Sequence, residues 1–121
     1  MQRRTFQRLK AAASGSLHHC VYVVLLDPQA AKDRKVLQAN PKRDRNKPCL
    51  YVGMTGLSPE ERFRNHKNGV KSARIVQRFG IRLLPEFYEC FNPMPFDVAT
   101  KMESELAVEL RDSGYTVTGG H

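Results

Sequence analysis

The chain has no tryptophan, few cysteines and no long apolar run. Cys20, Cys49 and Cys90 are widely spaced and form no Cys-x-x-Cys pair, which argues against a disulfide framework and a structural zinc site. This cysteine usage favours a reducing, cytoplasmic setting. The longest apolar run, residues 20–26, is far too short to cross a bilayer, so we expect no membrane partner.

Acidic residues are scarce in the first two thirds of the chain. The net charge is +8, and acidic side chains outnumber basic ones only after residue 82, where Lys101 and Arg111 are the basic residues. A balance of this kind predicts a polyanionic partner, and an ordinary solvated surface is the alternative. No acidic residue precedes Asp27. We therefore expect residues 1–19 to form a basic N-terminal arm or a short helix.

The remaining residues, 20–121, have the size of one domain. The β-branched and aromatic residues of 20–26 predict a buried strand, which Asp27-Pro28 ends. Residues 28–48 are rich in basic side chains and proline and show no lasting hydrophobic period. They predict a long, mobile, basic hairpin insertion that tracks a phosphate backbone, or else an unstructured solvated segment.

The second half of the chain alternates helical and extended patterns. Residues 48–53 predict a second strand, and Ser58-Pro59-Glu60-Glu61 has the serine cap, proline and acids that begin a helix. Further helices are expected over about 72–79 and from Asp97 onward, with a strand over 81–91 between them. The order β-β-α-α-β-α predicts an α+β fold, a small three-stranded antiparallel sheet flanked by helices. The short tail, 115–121, is a candidate edge strand.

Two side chains on the predicted helix after Ser58 suit phosphate chemistry. Arg62 carries a permanently charged fork that matches phosphate oxygens. His66 lies four residues later on the same helical face and titrates near neutral pH. The alternatives are a surface ion pair of Arg62 with Glu60 or Glu61, and a buried, hydrogen-bonded His66.

Further candidates come from the strands and the last helix. Glu103 flanks the apolar stripe of that helix (Val98, Met102, Leu106 and Leu110), where a carboxylate can bind one Mg²⁺ that keeps most of its waters. Its alternative role is an ion pair with an arginine. Tyr22 and Tyr51 lie in predicted strands, and their alternative role is ordinary core packing.

Together these motifs resemble the GIY-YIG nuclease domain. Tyr51-Val52-Gly53 is similar to the second signature triplet of the family, and Cys20-Val21-Tyr22 stands in the place of the first. Arg62-Phe63-x-x-His66 and Ala99-x-x-x-Glu103 are similar to the family's helical motifs. The chain departs from the pattern at Cys20, which replaces a glycine, in its long connection, and in lacking the late asparagine, whose place is nearest Thr116 or Thr118.

The resemblance implies a GIY-YIG-like nuclease domain over residues 20–121, with the basic insertion at 28–48. It implies hydrolysis of double-stranded or branched DNA to 5′-phosphate and 3′-hydroxyl ends, with Mg²⁺ or Mn²⁺ held by Glu103. We expect Tyr22 to be the general base, Tyr51 to orient it and His66 to assist by accepting the proton. The implied catalytic residues are Tyr22, Tyr51, Arg62, His66 and Glu103.

Six basic residues are candidates for contacting DNA, with ordinary surface charge as the alternative for those after residue 60: Lys42, Arg43, Arg45, Lys67, Lys71 and Arg74. A chain of this length leaves little room for a separate recognition module. Specificity is therefore expected from the basic arm and insertion, or from a partner protein. Two other functions remain open: a catalytically inactive nucleic-acid-binding module of the same fold, and an interaction protein whose basic face meets an acidic protein.

Overall fold

A computed structural model describes residues 17–120 of the chain. Most of the predicted basic arm, residues 1–19, lies outside the described residues. At its end, His19 forms an isolated antiparallel bridge with Met94. The described residues include no helix with the length and apolar character needed to cross a membrane.

The described residues form one four-stranded mixed sheet: β1 (Cys20–Leu26), β2 (Cys49–Thr55), β3 (Gly80–Leu83) and β4 (Thr116–Gly119). The strand order is β3-β1-β2-β4, with β1 antiparallel to β2 and β3 and with β4 parallel to β2. The α+β class is confirmed, but the predicted three-stranded antiparallel sheet is wrong. The free edge of β2 needs hydrogen-bond partners, and the β-branched tail supplies them.

Within residues 17–120, four α-helices flank this sheet: α1 (Arg34–Gln38), α2 (Pro59–Lys67), α3 (Arg74–Phe79) and α4 (Phe96–Asp112). The predicted start of α2 is confirmed, because the Ser58 hydroxyl accepts the Glu61 backbone N–H at 3.2 Å. The predicted strand over 81–91 is wrong beyond Leu83. Pro85 cannot donate to a strand ladder, and two short 3₁₀ turns follow, at Pro85–Phe87 and Glu89–Phe91.

The insertion at 28–48 connects the antiparallel strands β1 and β2, but it is folded onto the sheet. It contains a 3₁₀ turn at Pro28–Lys32 and helix α1. The buried Asn40 side chain donates to the Val36 carbonyl at 2.6 Å and to the Val117 carbonyl at 2.9 Å, and accepts the Val117 N–H at 2.8 Å. The insertion therefore covers the outer edge of β4 and is not the mobile connection that the sequence predicts.

The apolar core lies where α4 packs against the sheet. Helix α4 contacts β2, β4 and β1, and its predicted stripe of Val98, Met102, Leu106 and Leu110 is buried. Helix α2 contacts β1 and β3. The strands of the central pair are thereby held between helices, and this fixes the side chains that β1 and β2 present to α2.

Candidate active site

The register of β1 and β2 places both strand tyrosines on one face of the sheet. Tyr22 pairs with Gly53, and Tyr51 pairs with Val24. Paired residues share a face, as do residues two apart on one strand. A Cβ atom at Gly53 would lie 2.6 Å from both Cζ and Oη of Tyr22, so the Tyr22 ring lies directly over the bare backbone of Gly53.

Helix α2 brings His66 onto the same face, fully buried, with Nε2 2.8 Å from the Tyr22 hydroxyl. The Ala73 backbone N–H donates to Nδ1 at 3.0 Å. Because a backbone N–H can only donate, Nδ1 is unprotonated, and the neutral ring carries its proton on Nε2. Burial, and then the Arg62 charge, lower the pKa of His66 to about 4, which keeps it neutral.

His66 therefore donates to the Tyr22 oxygen, and Nε2 has no lone pair with which to accept a proton from the tyrosines. The expected role of His66 as a proton acceptor does not fit this geometry. His66 is buried and hydrogen-bonded, as the alternative role of an ordinary core histidine predicts. Its hydrogen-bond partner, however, is Tyr22, a tyrosine of the candidate site.

Tyr22, Tyr51 and His66 form a triangle of rings. The centroid distances are 6.1 Å between the tyrosines, 6.0 Å from Tyr22 to His66 and 5.8 Å from Tyr51 to His66. Burial is the largest cause that raises the pKa of each tyrosine, and Tyr51 is the next cause that raises the pKa of Tyr22.

Arg62 is held by backbone carbonyls. Its guanidinium donates to the Lys71 carbonyl at 2.8 Å and to the Val70 carbonyl at 3.3 Å, and these bonds, rather than an ion pair with Glu60 or Glu61, position it. Lys71 has a φ of 47°, an uncommon conformation for a residue with a Cβ. Burial raises the pKa of Tyr22 and of Tyr51, and the positive charge of Arg62 acts in the opposite direction by lowering both pKa values.

Glu103 is buried on α4, whereas Glu105 is exposed, as their positions on the helix predict. Burial raises the pKa of Glu103 to about 7, although a hydrogen bond from the Met54 backbone opposes the rise. Within residues 17–120, no lysine or arginine forms an ion pair with this carboxylate, so that alternative is not observed. Glu103 is close enough to Tyr51 to raise its pKa.

The residues around Glu103 offer a divalent cation one carboxylate. No group of three His, Cys, Asp or Glu side chains occurs in the described part of the chain, so a closed protein cage of the zinc type is not formed there. Mg²⁺ fits better, because it retains several waters and takes one or two carboxylates together with substrate phosphate. A bound cation would also compensate the buried, unpaired charge of Glu103.

The six basic residues expected to contact DNA are not brought to one surface. Lys42 pairs with Asp112 at 3.3 Å, and Arg43 donates to the Thr116 hydroxyl at 3.1 Å, so both tie the insertion to the C-terminal end of the fold. Lys67 donates to the carbonyls of Gln77 and Gly80, at 3.0 and 2.9 Å. Arg45, Lys71 and Arg74 are exposed.

The site also depends on backbone contacts that the sequence did not indicate. Ala73 orients His66, and Val70 and Lys71 hold Arg62, through backbone atoms that carry no residue-type signal. Thr118, one of the two residues nearest the place of the missing asparagine, pairs with Tyr51 across β4 and β2. Comparison of the chain with protein-family models, curated proteins and solved structures found no match.

Proposed function

We propose that the protein is a metal-dependent endonuclease of the GIY-YIG type, which hydrolyses DNA phosphodiester bonds. The observation that carries the proposal is the convergence of three rings, Tyr22, Tyr51 and His66, with centroids 5.8 to 6.1 Å apart. Arg62 and Glu103 both act electrostatically on this cluster. A buried carboxylate with no basic partner, close to one buried and one partly buried tyrosine, is unfavourable for folding and is typical of functional sites.

Tyr51 is the better general base of the two tyrosines, which differs from the sequence expectation of Tyr22. Tyr51 is partly exposed, whereas Tyr22 is buried, so an attacking water can reach the Tyr51 hydroxyl. The Tyr22 hydroxyl is also already engaged, because His66 donates to it at 2.8 Å. Ionised Tyr51 would take a proton from the attacking water, while Tyr22 and His66 hold its orientation.

Arg62 supplies positive charge where the substrate develops negative charge. Phosphodiester hydrolysis passes through a transition state whose charge is spread over the phosphate oxygens, and a guanidinium fork matches those oxygens. Arg62 donates from Nη1 to the Val70 carbonyl and from Nη2 to the Lys71 carbonyl. A fork held in this way is oriented before the substrate binds, which avoids reorganisation in the transition state.

Glu103 is the residue that would hold the divalent cation. When bound, Mg²⁺ or Mn²⁺ supplies positive charge that polarises the phosphate and stabilises the leaving oxygen. Glu103 acts electrostatically on Tyr51, so a cation held by Glu103 would favour the ionised form of that tyrosine. The burial of Glu103 strengthens its attraction for a cation, because little water screens the charge.

Nicking of supercoiled plasmid in the presence of Mg²⁺ tests the proposal. We expect Arg62→Ala combined with Glu103→Ala to lower the nicking rate at least about 100-fold, because it removes both charges that act on the transition state. The matched control combines Arg64→Ala with Glu105→Ala, which removes the same charges from exposed positions of α2 and α4. Equal rates for the wild type and the double variant of the site would exclude the enzyme.

A second candidate is a nucleic-acid-binding module of the same fold that does not cleave. It is favoured by the raised pKa of both tyrosines, of which burial is the largest cause, since a tyrosine base must ionise. Salt-dependent DNA binding with no nicking in Mg²⁺ or Mn²⁺, and no effect of either cation on stability, would select this function over the endonuclease.

A further inference from the structure

A groove on the protein surface separates the first turn of the insertion from helix α3. Its volume is about 460 Å³, and it continues into a second cavity of about 330 Å³ with which it shares Gln29, Arg78 and Phe79. We infer that this groove binds a single-stranded segment of nucleic acid, with phosphates on its basic rim and a base against its apolar floor.

The rim carries three positive side chains. Lys32 stands on the insertion, and Arg74 and Arg78 stand one helical turn apart on α3. All three are exposed, so they reach a ligand without being desolvated first. Residues four apart on a helix lie on the same face, and their spacing lets both guanidinium groups contact successive phosphates of one strand.

The floor of the groove is apolar, and this favours a strand with accessible bases. Ala30, Ile75 and Phe79 line it, and the Arg78 guanidinium lies over the Phe79 ring with its Cζ 5.0 Å from the centroid. Aromatic rings and arginine planes stack on unpaired bases of any sequence. A duplex presents its phosphates and sugars outward, and these polar groups make no favourable contact with an apolar floor.

Asp27 lines the second cavity, and Asp33 is the acidic side chain of the first, where its structural role explains why it is tolerated. Its carboxylate caps α1 by accepting the N–H groups of Lys35 at 2.8 Å and Val36 at 3.4 Å. Arg74 directly follows Ala73, whose N–H donates to His66, so the start of α3 connects the groove to the candidate active site.

This inference rests on the proposed function in that the bound strand belongs to the same nucleic acid that is cut. Binding is therefore measured in EDTA, where cleavage plays no part, by fluorescence anisotropy of a labelled oligothymidylate strand across a series of NaCl concentrations. We expect Arg74→Ala combined with Arg78→Ala to weaken binding about tenfold and to reduce the slope of log K against log salt by about 1.4, the value for two lost single-strand phosphate contacts.

The matched control is Arg64→Ala combined with Arg82→Ala, which removes two exposed arginines that do not line the groove. An equal loss of affinity in control and groove variants would overturn the inference, because net charge alone would then explain binding. An equal loss for a blunt duplex would overturn the single-strand preference. If the wild type binds the strand but does not nick plasmid, the endonuclease proposal is rejected, and the inference that the groove binds a single strand still holds.

Asp33→Asn gives a test in the opposite direction. Asparagine caps a helix as well as aspartate does, so α1 is kept while one repulsive charge leaves the groove. We expect the strand to bind about two- to fivefold more tightly, as for removal of one exposed charge interaction. Unchanged or weaker binding would contradict a phosphate path along this rim, and circular dichroism confirms that the variant is folded.

Discussion

Gly53 and Tyr22 face each other across β1 and β2, and their contact explains a glycine in the middle of a strand. The Tyr22 ring occupies the space of the missing side chain and is thereby directed at His66, 2.8 Å from Oη. A side chain on a strand can turn its ring only where its neighbours leave room, so the position of the Tyr22 ring depends on the absence of a side chain at Gly53.

We expect Gly53→Ala to destabilise the protein by about 1–3 kcal/mol and to abolish nicking. The added Cβ would lie 2.6 Å from the Tyr22 ring, which has to move away from His66. The control is Gly56→Ala, where the nearest atom, His19 Nε2, is at 3.5 Å, an ordinary contact. Urea unfolding measures both variants, and equal stability would show that the Tyr22 ring is free to shift.

His66 makes the stability depend on pH in the acid range. Its pKa of about 4 in the fold lies below its ordinary value of 6.5, so its contribution is complete above about pH 6.5 and is lost as the pH falls through 4. We expect wild type to lose on the order of 3 kcal/mol over that window on this account. His66→Gln, which retains an N–H donor toward Tyr22, should not show this loss of stability at acid pH. Parallel profiles of stability against pH for the wild type and His66→Gln, measured by urea unfolding, would disprove the prediction.

Among the secondary-structure elements, the insertion differs most from its expected behaviour. Its basic, proline-rich composition is that of a loop, yet Asn40 binds the backbone of Val117 as a neighbouring strand would. Arg43 adds a hydrogen bond to Thr116 of the same strand. The insertion therefore stabilises β4, and through β4 it supports Tyr51, which pairs with Thr118.

We expect Asn40→Ala to lower the free energy of unfolding by about 2–3 kcal/mol, because it leaves the buried N–H of Val117 unsatisfied and removes one of the two donors to the Val117 carbonyl. The matched control is Asn46→Ala, at an exposed position of the same insertion. Hydrogen exchange locates the effect, with faster exchange expected at Val117. A loss no larger than that of the control would mean that the insertion contributes little to β4.

At the scale of the whole molecule, the acidic third of the chain is folded back against the basic part. The C-terminal end of α4 meets the insertion through Lys42–Asp112, and Lys47 donates to the Ser113 carbonyl. Glu105 remains exposed, while Glu103 is turned into the sheet beside Tyr51. The acidic third of the sequence thus supplies one buried carboxylate, Glu103, which raises the pKa of Tyr51, and Arg62 of the basic part lowers the pKa of the same tyrosine.

Mg²⁺ should stabilise the folded protein through that carboxylate. We expect 10 mM MgCl₂ at pH 8 to raise the free energy of unfolding by about 1 kcal/mol, as for a ligand present at several times its Kd, and EDTA to reverse it. Glu103→Gln should abolish the effect, and Glu105→Gln should retain it. An equal stabilisation of all three proteins would show that the cation acts by general screening.

Several features of the fold could be predicted from short sequence patterns alone. The cap at Ser58, the apolar stripe of α4 and the α+β class depend on residues close together in the chain, where periodicity and capping chemistry act directly. Tyr51, Arg62 and His66 could be selected as candidates for the same reason, since they lie within one strand-turn-helix segment.

Only the tertiary structure decided the rest, because it depends on pairings between distant residues. The parallel addition of β4 to β2 and the Asn40–Val117 hydrogen bonds join segments that no local pattern relates. The proton position on His66 follows from the Ala73 backbone N–H, which every residue except proline possesses. Directional hydrogen bonds of this kind carry no sequence signature, so the direction of the hydrogen bond from His66 to Tyr22 becomes visible only in the fold.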